Sequence, residues 1–176
     1  MNRDLELKTS KWKVRCVYVI DRYTIEIHRY DGSQWQPLLT TPLGDTTDDW
    51  PCNPPLQQIS YEELGQASPA ILGMGMAGTS HWSLSIHEDR DQSLVVDVAC
   101  RYSNLPRSLE LTFQHAATAD TFARNGDLVE LSVGTHRIEF TPGADTNLHL
   151  ANDLLIARPN AIPAPRATAR WLLTLK

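Results

Sequence analysis

An alternation of apolar and polar residues with a period of two runs through most of this chain and limits the folds open to it. In KWKVRCVYVI, the apolar residues Trp12, Val14 and Cys16 fall on one side. Lys13 and Arg15 fall on the other side. YTIEIHRY repeats the pattern, and ATARWLLTLK closes the chain with it. Because successive side chains of a strand point to opposite faces, the alternation predicts strands with one buried face.

The clearest hairpin signal is LVELSVGTHRIEF, where Gly134 and Thr135 separate two alternating segments. Glycine at the first position of a two-residue loop is typical of a type II′ turn. Pairing outward from this loop places Val133 opposite His136 and makes one face of the hairpin apolar. His136 is then expected to point toward the core as a buried histidine.

Helical periodicity is nearly absent, and the sequence predicts an all-β fold. Only ISYEELGQA and AATADTFAR are compatible with short helical turns, and both are too short for local propensity to decide. The Pro- and Asp-rich region 43–70 lacks periodicity and is interpreted as a long surface loop. We expect residues 1–176 to form a single antiparallel domain, a β-sandwich or a flattened β-barrel of about nine to ten strands.

Composition excludes several classes of partner. The net charge is −5, and the basic residues are scattered rather than clustered, so a nucleic-acid partner is not expected. No apolar run approaches the roughly 18 residues of a membrane span, so no membrane association is expected. The three cysteines lack C-x-x-C spacing, which argues against a disulfide framework or a zinc site and favours a reduced, cytoplasmic protein. A homo-oligomer is compatible with the composition.

The stretch GMGMAG, Gly73 to Gly78, matches the G-x-G-x-x-G fingerprint of dinucleotide binding, and Asp97 follows at the spacing that the fingerprint requires. That fingerprint functions between a buried strand and the start of a helix. Here the following residues, SHWSLSIH, alternate as a strand does. We therefore expect no nucleotide or other cofactor, and we interpret the glycines as a bulge, a bend or a close backbone approach leading into a strand.

A polar sheet face is the best candidate for a binding site. SHWSLSIH and SLVVDVACR are predicted to pair through a loop over 88–92, which places Ser83 opposite Asp97. SLELTFQ is expected to be the next strand of the same sheet and to add Glu110. The candidate ligand-binding residues are His81, Ser83, Asp97, Arg101 and Glu110.

Catalysis and metal binding fit these residues less well. Ser83, His81 and Asp97 have the composition of a hydrolytic triad, but in the predicted register the histidine does not bridge the other two. His81 and His87 share a face at roughly 20 Å, too far apart to bind one metal ion. The loop carboxylates Asp45, Asp48 and Asp49 lack the spacing of a calcium loop, so no metal site is expected.

Three functions remain open from the sequence. The pattern favours a noncatalytic module that binds a small polar ligand or a protein partner. The second hypothesis is a hydrolase or lyase that uses the polar face, through His81, Asp97, Arg101 or Glu110. The third is a structural or assembly module that makes contacts through the Trp50 loop or the C-terminal strand 167–176.

Overall fold

The computed structural model describes residues 4–63, 68–117, 121–126, 128–134 and 136–176, with the backbone alone at His136. None of these residues is helical, and accordingly none of them forms a helix that could span a membrane. They form fifteen strands, in chain order β1 Leu5–Lys8, β2 Trp12–Val19, β3 Arg22–Tyr30, β4 Trp35–Thr40, β5 Leu56–Glu62, β6 Ala70–Ala77, β7 Ser80–Glu88, β8 Leu94–Tyr102, β9 Leu111–His115, β10 Thr121–Asn125, β11 Leu128–Val133, β12 His136–Pro142, β13 Thr146–Ala151, β14 Leu154–Pro159 and β15 Thr168–Leu175.

The strands form two antiparallel sheets, and the predicted all-β sandwich is confirmed. One sheet has seven strands in the order β1-β2-β3-β4-β9-β14-β13. The other has eight strands in the order β10-β11-β12-β15-β8-β7-β6-β5. Their facing sides enclose one hydrophobic cluster, in which Trp82 packs edge-to-face on Trp171 with ring centroids 6.0 Å apart. Aromatic pairs in this geometry add to the stability that burial supplies.

The strand count exceeds the predicted nine to ten because four strands lack a clear alternation. β1 is four residues long, and the outer strand β10 is exposed except at Phe122, which is partly buried. In β5 only Leu56 is fully buried, and two glycines interrupt the pattern of β6. ISYEELGQA and AATADTFAR, the two segments compatible with short helical turns, are strand where β5 and β10 cover them. Residues 64–67 and 118–120 of these segments lie outside the described part.

The region 43–70, predicted to be a long surface loop, contains all of β5. Several of its residues are also buried, among them Pro51, Asn53, Pro54 and Pro55. The side-chain amide of Asn53 satisfies two backbone groups in this region. It donates to Pro42 O at 2.8 Å and accepts from Thr112 N at 2.8 Å. A buried backbone group needs such a partner, and a side-chain amide can supply it.

The glycine stretch continues a strand and does not form a bend. Gly73 and Gly75 lie inside β6, and the chain turns only at Gly78, whose φ is +50°. A Cβ on Gly75 would lie 1.8 Å from the carbonyl oxygen of Pro55, so this position requires close backbone approach. Gln57 is the extra residue of a bulge in β5, and its amide exchanges two hydrogen bonds with the backbone of Met76. The predicted close backbone approach is confirmed at Gly75. The predicted bend leading into a strand is wrong for Gly73 and Gly75, which lie inside β6, and the bulge belongs to the neighbouring β5.

The hairpin of β7 and β8 has the predicted faces but a different register. Asp97 lies opposite Ser85 rather than Ser83. Glu88 belongs to β7 and pairs with Leu94, whereas the sequence places it in the loop. The register differs by two residues, which leaves every side chain on its predicted face.

Strand β9 joins the seven-stranded sheet, so the prediction that it follows β8 in one sheet is wrong. It pairs with β4 and β14, and the neighbours of β8 are β7 and β15. The residues between β8 and β9 therefore cross from one sheet to the other. Pairings between strands that are distant in sequence leave no local signal, which explains the error.

The hairpin of β11 and β12 has the predicted register, with Val133 opposite His136 and Leu131 opposite Ile138. Gly134 has a φ of +57°, a conformation that glycine adopts without steric cost. The predicted direction of the His136 side chain lies outside the described part of the chain.

Candidate ligand-binding sites

The outer face of the eight-stranded sheet carries four of the five residues that the sequence predicts for a site. His81 lies directly opposite Arg101, and Ser83 lies opposite Ala99. His81, Ser83 and Arg101 are exposed, as expected for the solvent side of a sandwich. Asp97, one pair further along, is only partly exposed.

Asp97 is already paired with an arginine that the sequence does not reveal. Arg170 of β15 donates from Nε to the two carboxylate oxygens at 2.9 and 3.1 Å, and its Nη2 also donates to Oδ2. The arginine side chain is mostly exposed, so the pair contributes at most about 1 kcal/mol to stability. Asp97 is thus neutralised within the sheet and is a weak candidate for holding a charged ligand.

Glu110 lies away from this face because β9 belongs to the other sheet. It lines a cavity of about 120 Å³ together with Arg107 and Arg158. Asp97 lines a cleft of about 590 Å³, and His81 lines a separate one of about 270 Å³. The structure therefore places three of the predicted residues in three different cavities and does not bring them together.

The hydrolytic and metal-binding alternatives gain no geometric support from the described residues. No hydrogen bond joins His81, Ser83 and Asp97, since the carboxylate of Asp97 bonds to Arg170. Within the described ranges, no three His, Cys, Asp or Glu side chains are grouped closely enough to hold a metal ion. In the acidic loop, Asp45 accepts from Thr47 and Asp48 pairs with Arg107, so both carboxylates have protein partners.

A cavity of about 480 Å³ opens between the two sheets, at a position that the sequence does not predict. The β3–β4 hairpin of the seven-stranded sheet forms one wall, and the β11–β12 hairpin of the eight-stranded sheet forms the other. Its volume falls within the range of about 300 to 1,000 Å³ that is typical of small-molecule sites. The apolar side chains that line it are Pro37, Leu38, Ala117, Val133 and Ile138.

A bulge in β4 shapes this cavity. Ile27 pairs with Leu39 while His28 pairs with Pro37, which leaves Leu38 as an extra residue. Leu38 is buried and lines the cavity. Bulges bend a strand and redirect its side chains, and they are frequent beside binding sites.

Arg29 is the unusual residue of the cavity because it lies on the inner face of its strand. β3 alternates with Ile25 and Ile27 buried on that face, and Arg29 is the next position. The guanidinium stacks over the ring of Trp12 with its carbon 4.7 Å from the ring centroid. Its Nη1 is buried without a hydrogen-bond partner. Burial also lowers the pKa of Arg29 from its usual value, although a guanidinium remains charged in proteins.

Asp31 is a polar residue in the lining of the same cavity, and hydrogen bonds hold its carboxylate in place. One carboxylate oxygen accepts from the backbone N–H groups of Ser33 and Gln34, each at 2.8 Å. The other oxygen accepts from the side-chain amide of Gln36 at 2.9 Å. These donors stabilise the carboxylate and hold the pKa of Asp31 well below its usual range.

A sequence signal for this site exists in YTIEIHRY. The alternation that assigns Ile25 and Ile27 to the core also assigns Arg29 to it. A charged residue at a core position is rare unless it has a partner or a function. The cavity itself leaves no local signal, because its second wall comes from β11 and β12.

The chain matches none of the protein-family models and none of the curated proteins with which it was compared. The function is therefore inferred from the geometry of the chain itself.

Proposed function

We propose that this protein is a noncatalytic binding module that takes a small ligand into the cavity between its two sheets. The observation that supports this most strongly is an inter-sheet cavity of about 480 Å³ with an apolar lining and a half-buried guanidinium in its wall. Small-molecule sites are typically concave and apolar, with a few polar groups that fix orientation. This cavity has that composition.

The lining favours a ligand with an apolar body over the small polar ligand expected from the sequence. Leu38, Val133 and Ile138 would contact most of such a ligand. At about 30 Å³ for each non-hydrogen atom, the share that a water occupies in the liquid, the cavity would hold roughly fifteen such atoms. Burying an apolar body of that size would supply most of the binding free energy.

Binding is favoured over catalysis because the described side chains at this cavity include no nucleophile held by a base. The residues with polar side-chain groups there are Arg29, Tyr30, Asp31 and Gln36, and the last two bond to each other. A hydrolase needs a nucleophile and a general base within hydrogen-bond reach. Arg29 is suited to hold a ligand but does not abstract protons.

A cytoplasmic location is part of this proposal. Cys16, Cys52 and Cys100 are all free thiols. Burial raises the pKa of Cys16 and of Cys100 to about 12, which keeps both thiols protonated and unreactive. Free, unpaired cysteines are typical of proteins in reducing compartments.

The proposal is tested by filling the cavity. An uncharged naphthylamine dye, which fluoresces when it leaves water, should bind the wild-type protein. Val133→Trp adds bulk to the cavity wall, and we expect it to weaken dye binding by at least about tenfold. Thr168→Trp places the same side chain at an exposed position on the outer face and serves as the matched control.

Dye binding that is equal in the wild type and in Val133→Trp would contradict the proposed site. Absence of binding by the wild type to any apolar dye of suitable size would contradict the function. Near-ultraviolet circular dichroism of both variants shows whether each keeps the native packing.

A further inference from the structure

We infer that the ligand of this cavity carries one carboxylate group, which Arg29 binds while the apolar body of the ligand occupies the inter-sheet space. The inference rests on the proposed ligand-binding function and specifies the chemical class of the ligand. A medium-length alkyl carboxylate has the required features.

The guanidinium of Arg29 is half-buried at the cavity and makes no hydrogen bond to another described residue. Its Nη1 is buried with no hydrogen-bond partner. The ion pairs formed by the described residues do not include Arg29. A buried donor without an acceptor destabilises a fold, and a buried charge does so more strongly. A carboxylate bound to the exposed part of the guanidinium would offset part of this cost.

Arg22 shows what a purely structural arginine looks like in the same strand. Arg22 is almost fully buried, whereas Arg29 is half-buried, and the Nη1 atom of each lacks a hydrogen-bond partner. In Arg22, however, Nε bonds to Asp21 at 2.9 Å, and Nη2 bonds to Thr46 O at 2.7 Å and to Asp21. The guanidinium of Arg22 is thus held by the protein on two of its three nitrogens. Arg29 has no comparable set of bonds to the residues that the structure describes, which distinguishes a group available to a ligand from a group used by the fold.

Trp12 orients the guanidinium of Arg29. Trp12 lies opposite Arg29 in the β2–β3 pairing and supports one face of the guanidinium. The indole is itself fixed, because its Nε1 donates to Gln92 O at 2.9 Å. Contact with a fixed ring covers one face of the guanidinium and leaves the N–H groups on its exposed side available to an acceptor. A carboxylate matches that edge because its two oxygens can accept two parallel hydrogen bonds.

Asp31 is close to Arg29 in sequence but does not serve as its ion-pair partner. Its two oxygens accept hydrogen bonds from Ser33, Gln34 and Gln36, which hold the carboxylate in the turn after β3. It forms no ion pair with Arg29. Its charge at the rim would disfavour ligands with several negative charges. A single carboxylate is therefore favoured over a phosphate ester.

The test compares three probes that share one alkyl chain: dodecanoate, methyl dodecanoate and dodecanol. Each displaces the naphthylamine dye from the wild-type protein, and the midpoint of displacement is measured at neutral pH and below the concentration at which the probes aggregate. We expect dodecanoate to bind about ten- to a hundredfold more tightly than the other two, as for a charge-assisted hydrogen bond. Arg29→Met should abolish that preference while leaving dodecanol binding nearly unchanged.

Arg137→Met is the matched control, because it removes an exposed arginine of β12 and changes the net charge equally. It should leave the preference for dodecanoate intact. Equal binding of all three probes to the wild type would overturn the carboxylate inference and leave the cavity function standing. Failure of all three to displace the dye would instead contradict the proposed function. The comparison within the wild type is decisive even if Arg29→Met fails to fold.

Discussion

Arg29 occupies a position that the strand alternation assigns to the core. Ile25 and Ile27 precede it on the buried face, and Trp12 faces it from the neighbouring strand. The sequence contains this signal, since the apolar alternation of YTIEIHRY leads directly to the arginine. The sequence does not show that Nη1 of Arg29 lacks a hydrogen-bond partner, because only folding decides which groups come close to it.

Two neighbouring residues of β7 should respond very differently to truncation. Trp82 is buried, packs on Trp171 and donates from its indole to Ser80 Oγ at 2.8 Å. Trp82→Ala should lower the free energy of unfolding by about 3 to 5 kcal/mol through lost burial and a cavity. Ser83→Ala, on the exposed face, should change it by less than about 0.5 kcal/mol. Urea unfolding measures both values, and equally large losses would contradict the one-sided burial of this sheet.

At the scale of single strands, prediction from the sequence succeeds where one face is uniformly apolar. β2, β7 and β8 meet this condition, as do β15 and the hairpin of β11 and β12, and β3 meets it up to Arg29. It fails for β5 and β10, whose exposed residues hide the alternation, and for β6, whose glycines remove side chains from it. The sequence indicates that the glycines permit close approach, but the backbone that approaches, at Pro55, becomes known only from the fold.

The two glycines of β6 should tolerate alanine to different degrees. A Cβ on Gly75 would meet the Pro55 carbonyl oxygen at 1.8 Å, so the strands must separate to accept it. Gly75→Ala should therefore destabilise the protein by about 3 kcal/mol. A Cβ on Gly73 would meet only the end of the Leu56 side chain, at 3.0 Å, and the matched variant Gly73→Ala should cost about 1 kcal/mol or less. Thermal or urea unfolding of both variants tests this, and a smaller loss at Gly75 would contradict the described packing.

At the scale of the whole molecule, the difficulty lies in which strands become neighbours. The pairing of β8 with β15 brings Arg170 to Asp97, and the pairing of β9 with β4 carries Glu110 to the other sheet. Local patterns do not specify such contacts, so the predicted site residues share a face only in part. The inter-sheet cavity is a product of the same long-range arrangement, since β3–β4 and β11–β12 meet only in the folded sandwich.

The central claim is that the ligand enters between the sheets and does not bind the outer polar face. Backbone amide chemical shifts, followed by NMR during titration with dodecanoate, test this most directly. The account predicts shift changes concentrated at the cavity wall, at Arg29, Leu38, Val133 and Ile138. Changes centred instead on the outer face, at His81, Ser83, Asp97 and Arg101, would contradict it.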